Sequence, residues 1–105
     1  MNKYQITGIQ NYSGIGDILS AISDGSKTLG LTPAIASEVK QPFGGLIWLL
    51  RKGENSGHLE VLYDPGANEI IVTPVSKTDK DWVHSHALLV AEYLSDRLGG
   101  HLAGQ

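Results

Sequence analysis

Every second residue is apolar along HLEVLY, 58–63 (Leu59, Val61 and Tyr63), and along EIIVTPV, 69–75 (Ile70, Val72 and Pro74). A period of two sends successive side chains to opposite faces of a strand. Between them, DPGAN has the composition of a turn. With a four-residue loop, Pro65 to Asn68, Tyr63 should pair with Ile70 and Val61 with Val72. That register gathers Leu59, Val61, Tyr63, Ile70 and Val72 on one apolar face, and His58, Glu60, Leu62, Ile71 and Thr73 on the other. A third segment, LIWLL at 46–50, follows the breaker cluster QPFGG and is apolar throughout. The three segments read as an antiparallel meander, with Pro74 at the end or edge of its last strand.

The flanks complete the picture. Lys3 to Ile9 sets Tyr4, Ile6 and Gly8 against Lys3, Gln5 and Thr7, the pattern of a first strand, and NYSG turns the chain. Ile15, Ile18, Leu19 and Ile22 then recur at helical spacing, with Ser13 as a cap, Asp17 near the positive end, and Gly25 or Gly30 to end the helix. Leu31 to Lys40 reads two ways: Thr32-Pro33 could open a helix, or AIASEVK could be an edge strand. Near the C-terminus, Thr78 or Asp79 caps a helix carrying Trp82, Val83, Leu89, Val90, Tyr93, Leu94 and Leu98. It stops at Gly99-Gly100, Gly99 taking the left-handed conformation. A short last strand at His101 to Ala103 is compatible with this order. The reading is one α+β domain over 1–105: a two-layer sandwich, an antiparallel sheet of four or five strands with two helices packed on one face. The order is β-α-(short element)-β-β-β-α.

Composition narrows the chemistry. A chain of 105 residues, 41% apolar and 18% charged, can bury a core without covalent staples. It has no cysteine, which removes disulfides, zinc-thiolate sites and thiol catalysis. The N-terminus lacks a signal-peptide pattern, and the longest apolar run, 46–50, is too short to span a bilayer. A cytoplasmic protein with no membrane partner is expected. Net charge is −3, and the eight basic residues are scattered, Arg51-Lys52 being the one adjacent pair. Phosphate neutralisation needs clustered cations, so no nucleic-acid partner is expected.

Three constellations invite a chemical reading. His84 and His86 flank one serine, but two positions on a helix turn about 200°, so the rings diverge and cannot share an ion. His86 falls among Trp82, Leu89, Val90 and Tyr93 and is expected to be a core histidine. In YSGIGD, Gly14 and Gly16 lack the third glycine of a dinucleotide loop, Leu19 standing in its place. His58 and Glu60 share a strand face and could act as an acid–base pair, yet no nucleophile or anion-binding loop accompanies them. No metal, cofactor or catalytic residue is assigned.

The second sheet face carries the functional expectation. LIWLL sends Leu46, Trp48 and Leu50 one way and Ile47 and Leu49 the other, while two helices on one side can cover only one face. Part of that surface, taken as Ile47, Trp48, Leu49, Leu62 and Ile71, is assigned to protein binding. The structural alternative is that Leu31 to Phe43 or the C-terminal tail packs over it. The expected role is non-catalytic protein binding, by covering a partner's surface or by self-association as a homodimer. In size and acidity the chain is similar in type to small bacterial immunity or inhibitor proteins. Two other readings stand beside it: a ligand-binding protein or enzyme with a pocket between sheet and helices using His58 and Glu60, and a structural subunit of a larger assembly.

Overall fold

The computed structural model describes residues 3–39, 45–76 and 81–104. Eight elements follow in the order β1 (Tyr4–Thr7), α1 (Ile15–Thr28), β2 (Thr32–Val39), β3 (Gly45–Arg51), β4 (His58–Asp64), β5 (Glu69–Val75), α2 (Asp81–Leu98) and β6 (His101–Gly104). The six strands form one antiparallel sheet in the order β2-β3-β4-β5-β1-β6. The sheet is wider than the four or five strands expected. The ambiguous segment after Leu31 is an edge strand rather than a helix, and the short C-terminal strand pairs with β1.

The meander β3-β4-β5 pairs as alternation and turn length require, with Val61 opposite Val72 and Tyr63 opposite Ile70. Pro74 lies past Tyr4↔Val72, the last β1–β5 pair among the described residues, and opposite Leu59 of β4. A proline there leaves the β1 ladder intact. In β2 the register shifts between Pro33 and Ile35, an irregularity that suits an edge strand.

Both helices pack on the same side of the sheet. The core there is built from Ile6, Trp48, Leu50, Leu59, Val61, Tyr63, Ile70 and Val72 on the strands, against Ile18, Ala21 and Ile22 of α1. From α2 come Val83, Ala87, Val90, Ala91, Leu94 and Leu98. The buried stripe of α2 is therefore rotated from the expected one. Trp82, His86 and Tyr93 are half-buried and Leu89 is exposed, whereas two alanines reach the core. Small residues at 87 and 91 let the helix axis come close to the sheet, a packing requirement that hydrophobicity alone does not reveal.

Local chemistry sets the helix ends. Gly14 is the N-cap of α1 without a side-chain bond, while Asp17 reaches back to accept from both the backbone N–H and the hydroxyl of Ser13. The expected Ser13 cap is thus replaced by the reverse contact, which holds the Asp17 carboxyl below its usual range, the Ser13 backbone bond contributing most. Gly25 does not end the helix: it is buried under the Tyr93 ring, and a Cβ there would sit 2.8 Å from that ring. The helix ends at Thr28 with Leu29 as its C-cap, and Gly30, with φ +71°, turns the chain away, the Leu31 N–H donating to the Ser26 carbonyl and the Gly30 N–H to that of Lys27. Gly99 closes α2 in the left-handed region, φ +70°, with the Gly100 N–H donating to Ser95. Both are six-to-one closures after a glycine. The caps assigned to Thr78 or Asp79, and Phe43, lie outside the described residues.

Candidate functional site

The face of the sheet turned away from the helices carries apolar side chains that neither helix covers. Among the described residues, the large apolar ones most open to water are Ile15, Leu19, Leu88 and Leu89 on the helices themselves. Cross-strand partners share a face, so the register draws the open sheet face row by row. One row runs Ile47–Leu62–Ile71–Gln5–Ala103 across β3, β4, β5, β1 and β6. The next runs Leu49–Glu60–Thr73. Beyond it His58 faces Val75, with Arg51 one residue past the Leu50–Leu59 pair on β3. At the other end, Asp64, Glu69, Thr7 and His101 form a polar row.

Ile47, Leu49, Leu62 and Ile71 thus form one contiguous apolar patch over three strands. All four are half-buried, although both helices, which provide the described helical cover, lie on the other side. Trp48, assigned with them from the sequence, does not belong to the patch. It alternates with Ile47 and Leu49, points to the helices and is buried in the core at 4% exposure. The charged groups divide by position: Arg51 and His58 at one end, the Asp64 and Glu69 carboxylates with His101 on the short edge strand at the other, and Glu60 beside the apolar row. Glu69 accepts a hydrogen bond from the Gln5 side-chain amide, and Asp64 accepts from the backbone N–H groups of Gly66 and Ala67 in the turn.

The structure places His58 and Glu60 on the open face, two residues apart, with Thr73 opposite Glu60. They do not line an interior space between sheet and helices. His84 and His86 both lie in α2, where His84 is exposed and His86 is half-buried. His86 is not central to the core as expected. Its Nδ1 lies 3.0 Å from the Trp82 carbonyl, an acceptor only, so a proton on Nδ1 completes a hydrogen bond within the helix. Its ring meets the Trp82 ring edge-on, and the Trp82 indole N–H donates to the Ser56 carbonyl in the β3–β4 loop. Among the described residues, no group of three or more His, Asp or Glu is placed to hold a metal ion.

Sequence reasoning missed one polar network, at the Asp64–Glu69 end and on the helix side. Tyr63 donates to the Tyr12 hydroxyl at 3.4 Å, Tyr12 donates to the Asn68 side-chain oxygen at 2.8 Å, and the Asn68 amide donates to the Ile9 carbonyl at 2.9 Å. The two rings meet edge-on. Asn68, at φ +54°, ends the β4–β5 turn and ties it to the β1–α1 loop. The signal available in sequence was an asparagine closing DPGAN, a residue type that tolerates the left-handed region. The network joins loops; it is not aimed at solvent.

No family model matches the chain, and no curated protein matches its sequence. Its fold is similar to a solved structure, the adenosylmethionine decarboxylase from Aquifex aeolicus VF5, with a TM-score of 0.62 at 14% identity. The likeness covers 99% of this chain and 83% of that one. At such identity it is a likeness of fold: an α+β sandwich of this kind is one that an enzyme also uses.

Proposed function

We propose that this protein is a non-catalytic, cytoplasmic protein-binding domain and that it binds through the open face of its sheet. The observation that carries the reading is the row Ile47–Leu62–Ile71, with Leu49 beside it. An open antiparallel face meant for water alternates to polar residues, whereas here apolar side chains continue across three adjacent strands. Association would bury them in the way the helices bury the opposite face. The acidic, small, cysteine-free chain fits proteins that act by covering a partner's surface. No helix among the described residues is long and apolar enough to cross a membrane.

A photo-cross-linking residue at Ile71 tests this in the host cell. The expected result is one discrete protein adduct, absent when Leu62→Glu is added and absent from a control probe at the exposed Ser20 of α1. No adduct at Ile71, or equal adducts from both probes, would sink the reading.

A second reading, an enzyme or ligand-binding protein, draws on the fold likeness and on the adjacency of His58, Glu60 and Thr73. Incubation with adenosylmethionine separates the two: carbon dioxide release abolished by His58→Ala or Glu60→Gln would favour catalysis. We expect none.

A further inference from the structure

We propose that the partner on this face is a second copy of the chain, related by a two-fold axis that lies in the interface and crosses the strands. The inference rests on the binding-face reading above and adds the identity and orientation of the occupant. A pair of like faces can meet only about an axis in their common plane. Sheets packed in the aligned class keep their strands within about 30° of one another, which leaves two simple axes, along the strands or across them; orthogonal packing would instead need a diagonal axis.

Charge decides between the two. An axis along the strands keeps each end over the same end, setting the Asp64 and Glu69 carboxylates of one copy against those of the other. An axis across the strands carries the Arg51 and His58 end of one copy onto the Asp64 and Glu69 end of its partner, with the apolar row in the middle. Like charges brought together at an interface cost several kcal/mol, so the crossing arrangement wins. Among the described strand residues of this face, Glu60 is the one acid in the basic half. His58, two residues away on the same face, and Arg51, diagonal to it, are cations or potential cations of its own copy, and they offset its burial. Size is also adequate. Four strands of seven or eight residues, about 20–25 Å long, and two of four residues, about 13 Å long, spaced about 4.8 Å apart, present roughly 500 Å² of flat area per copy, and side-chain relief raises the accessible area above that. A standard interface takes about 800 Å² from each partner.

Sedimentation equilibrium of the full chain over a range of micromolar concentrations tests the proposal. The expected species is a dimer, converted to monomer by Leu62→Glu, or by Leu62→Thr should the glutamate variant fail to melt cooperatively. Arg51→Glu and Asp64→Arg, each first shown to melt cooperatively because Asp64 also accepts from the turn N–H groups, should each weaken dimerisation about tenfold or more, and the double variant should recover most of it. In one copy, Arg51 lies beside His58, at the opposite end of β4 from Asp64, and the six residue steps between His58 and Asp64 span about 20 Å. Rescue therefore reports a contact between copies. A monomer at every concentration overturns the self-pairing and leaves the binding face to the cross-linking test. A dimer that survives both Leu62 substitutions overturns the binding face as well. A dimer lost with Leu62 but insensitive to the charge swaps, or not rescued by their combination, overturns the crossing axis.

Discussion

The two faces of this sheet are made from the same strands, one residue apart, and have opposite fates. On the helix side Leu50, Leu59, Val61, Ile70 and Val72 are fully buried. On the other, Ile47, Leu49, Leu62 and Ile71 are chemically equivalent and only half-buried. Composition therefore does not distinguish the faces; the cover does. Alanines at 87 and 91 and glycine at 25 let the helices settle closely on one side and on each other. The contrast teaches that apolar content on a strand marks what it is able to bury, and that the remainder needs a partner to realise it.

The largest effect should come from cutting the same methyl groups from the two faces. Leu59→Ala removes a fully buried side chain and should cost about 2–5 kcal/mol, because the surrounding core closes only part of the cavity. Leu62→Ala, one strand row away on the open face, should cost less, about 1–2 kcal/mol in the isolated chain, because its side chain is only partly buried and truncation leaves no closed cavity. Urea denaturation of both variants at low protein concentration checks the ratio. Equal losses would mean that the open face is already covered, and the comparison would collapse.

An intermediate effect tests how closely the cover is seated. Gly25→Ala would place a Cβ 2.8 Å from one Tyr93 ring carbon and 3.1 Å from another. Alanine in a helix interior gains roughly 0.5–1 kcal/mol over glycine. Overpacking of a well-filled contact costs about 1–3 kcal/mol, and the Tyr93 hydroxyl is held by the Arg97 guanidinium, which also pairs with Asp24. Net destabilisation is expected, and thermal melting measures it. A rise in Tm would show that the ring moves aside at little cost and that α1 and α2 are less tightly joined than their contact implies.

How much of this was readable in advance follows from which rule governed each segment. The β4–β5 register was legible because a period-two pattern and a four-residue turn fix it together, and Gly99 was legible because few residues other than glycine tolerate its φ. The identity of the patch was legible for Ile47, Leu49, Leu62 and Ile71. Trp48 was placed there against its own alternation, which seats it with Leu46 and Leu50 on the face that the helices cover. The strand at Thr32–Val39 was obscured by Pro33, equally at home at a helix start and on a sheet edge. In α2 the larger side chains of Trp82, Leu89 and Tyr93 drew the apolar stripe towards the wrong flank, because closeness of approach, which selects alanine, is a tertiary demand. The tyrosine–asparagine network joins residues more than fifty apart in sequence, and no local pattern announces it.

The smallest effect concerns that network, at the Asp64–Glu69 end of the covered face. Burial, the hydrogen bond to Tyr12 and the charges of Tyr12 and Asp64 push the Tyr63 hydroxyl up from 10.0 to about 12. The folded chain then keeps this proton in a range where the unfolded chain has released it. Stability from this group is present in full below pH 10 and is lost as pH rises from 10 towards about 12. Tyr63→Phe keeps the edge-on ring contact with Tyr12 and removes one long hydrogen bond, while Tyr12 still donates to Asn68. It should cost about 0.5–1 kcal/mol at neutral pH. The same variant should flatten the alkaline fall in stability and delete the late step from the phenolate absorbance titration. A titration unchanged by Tyr63→Phe would show that the hydroxyl meets solvent, and that the covered face is open at this end too.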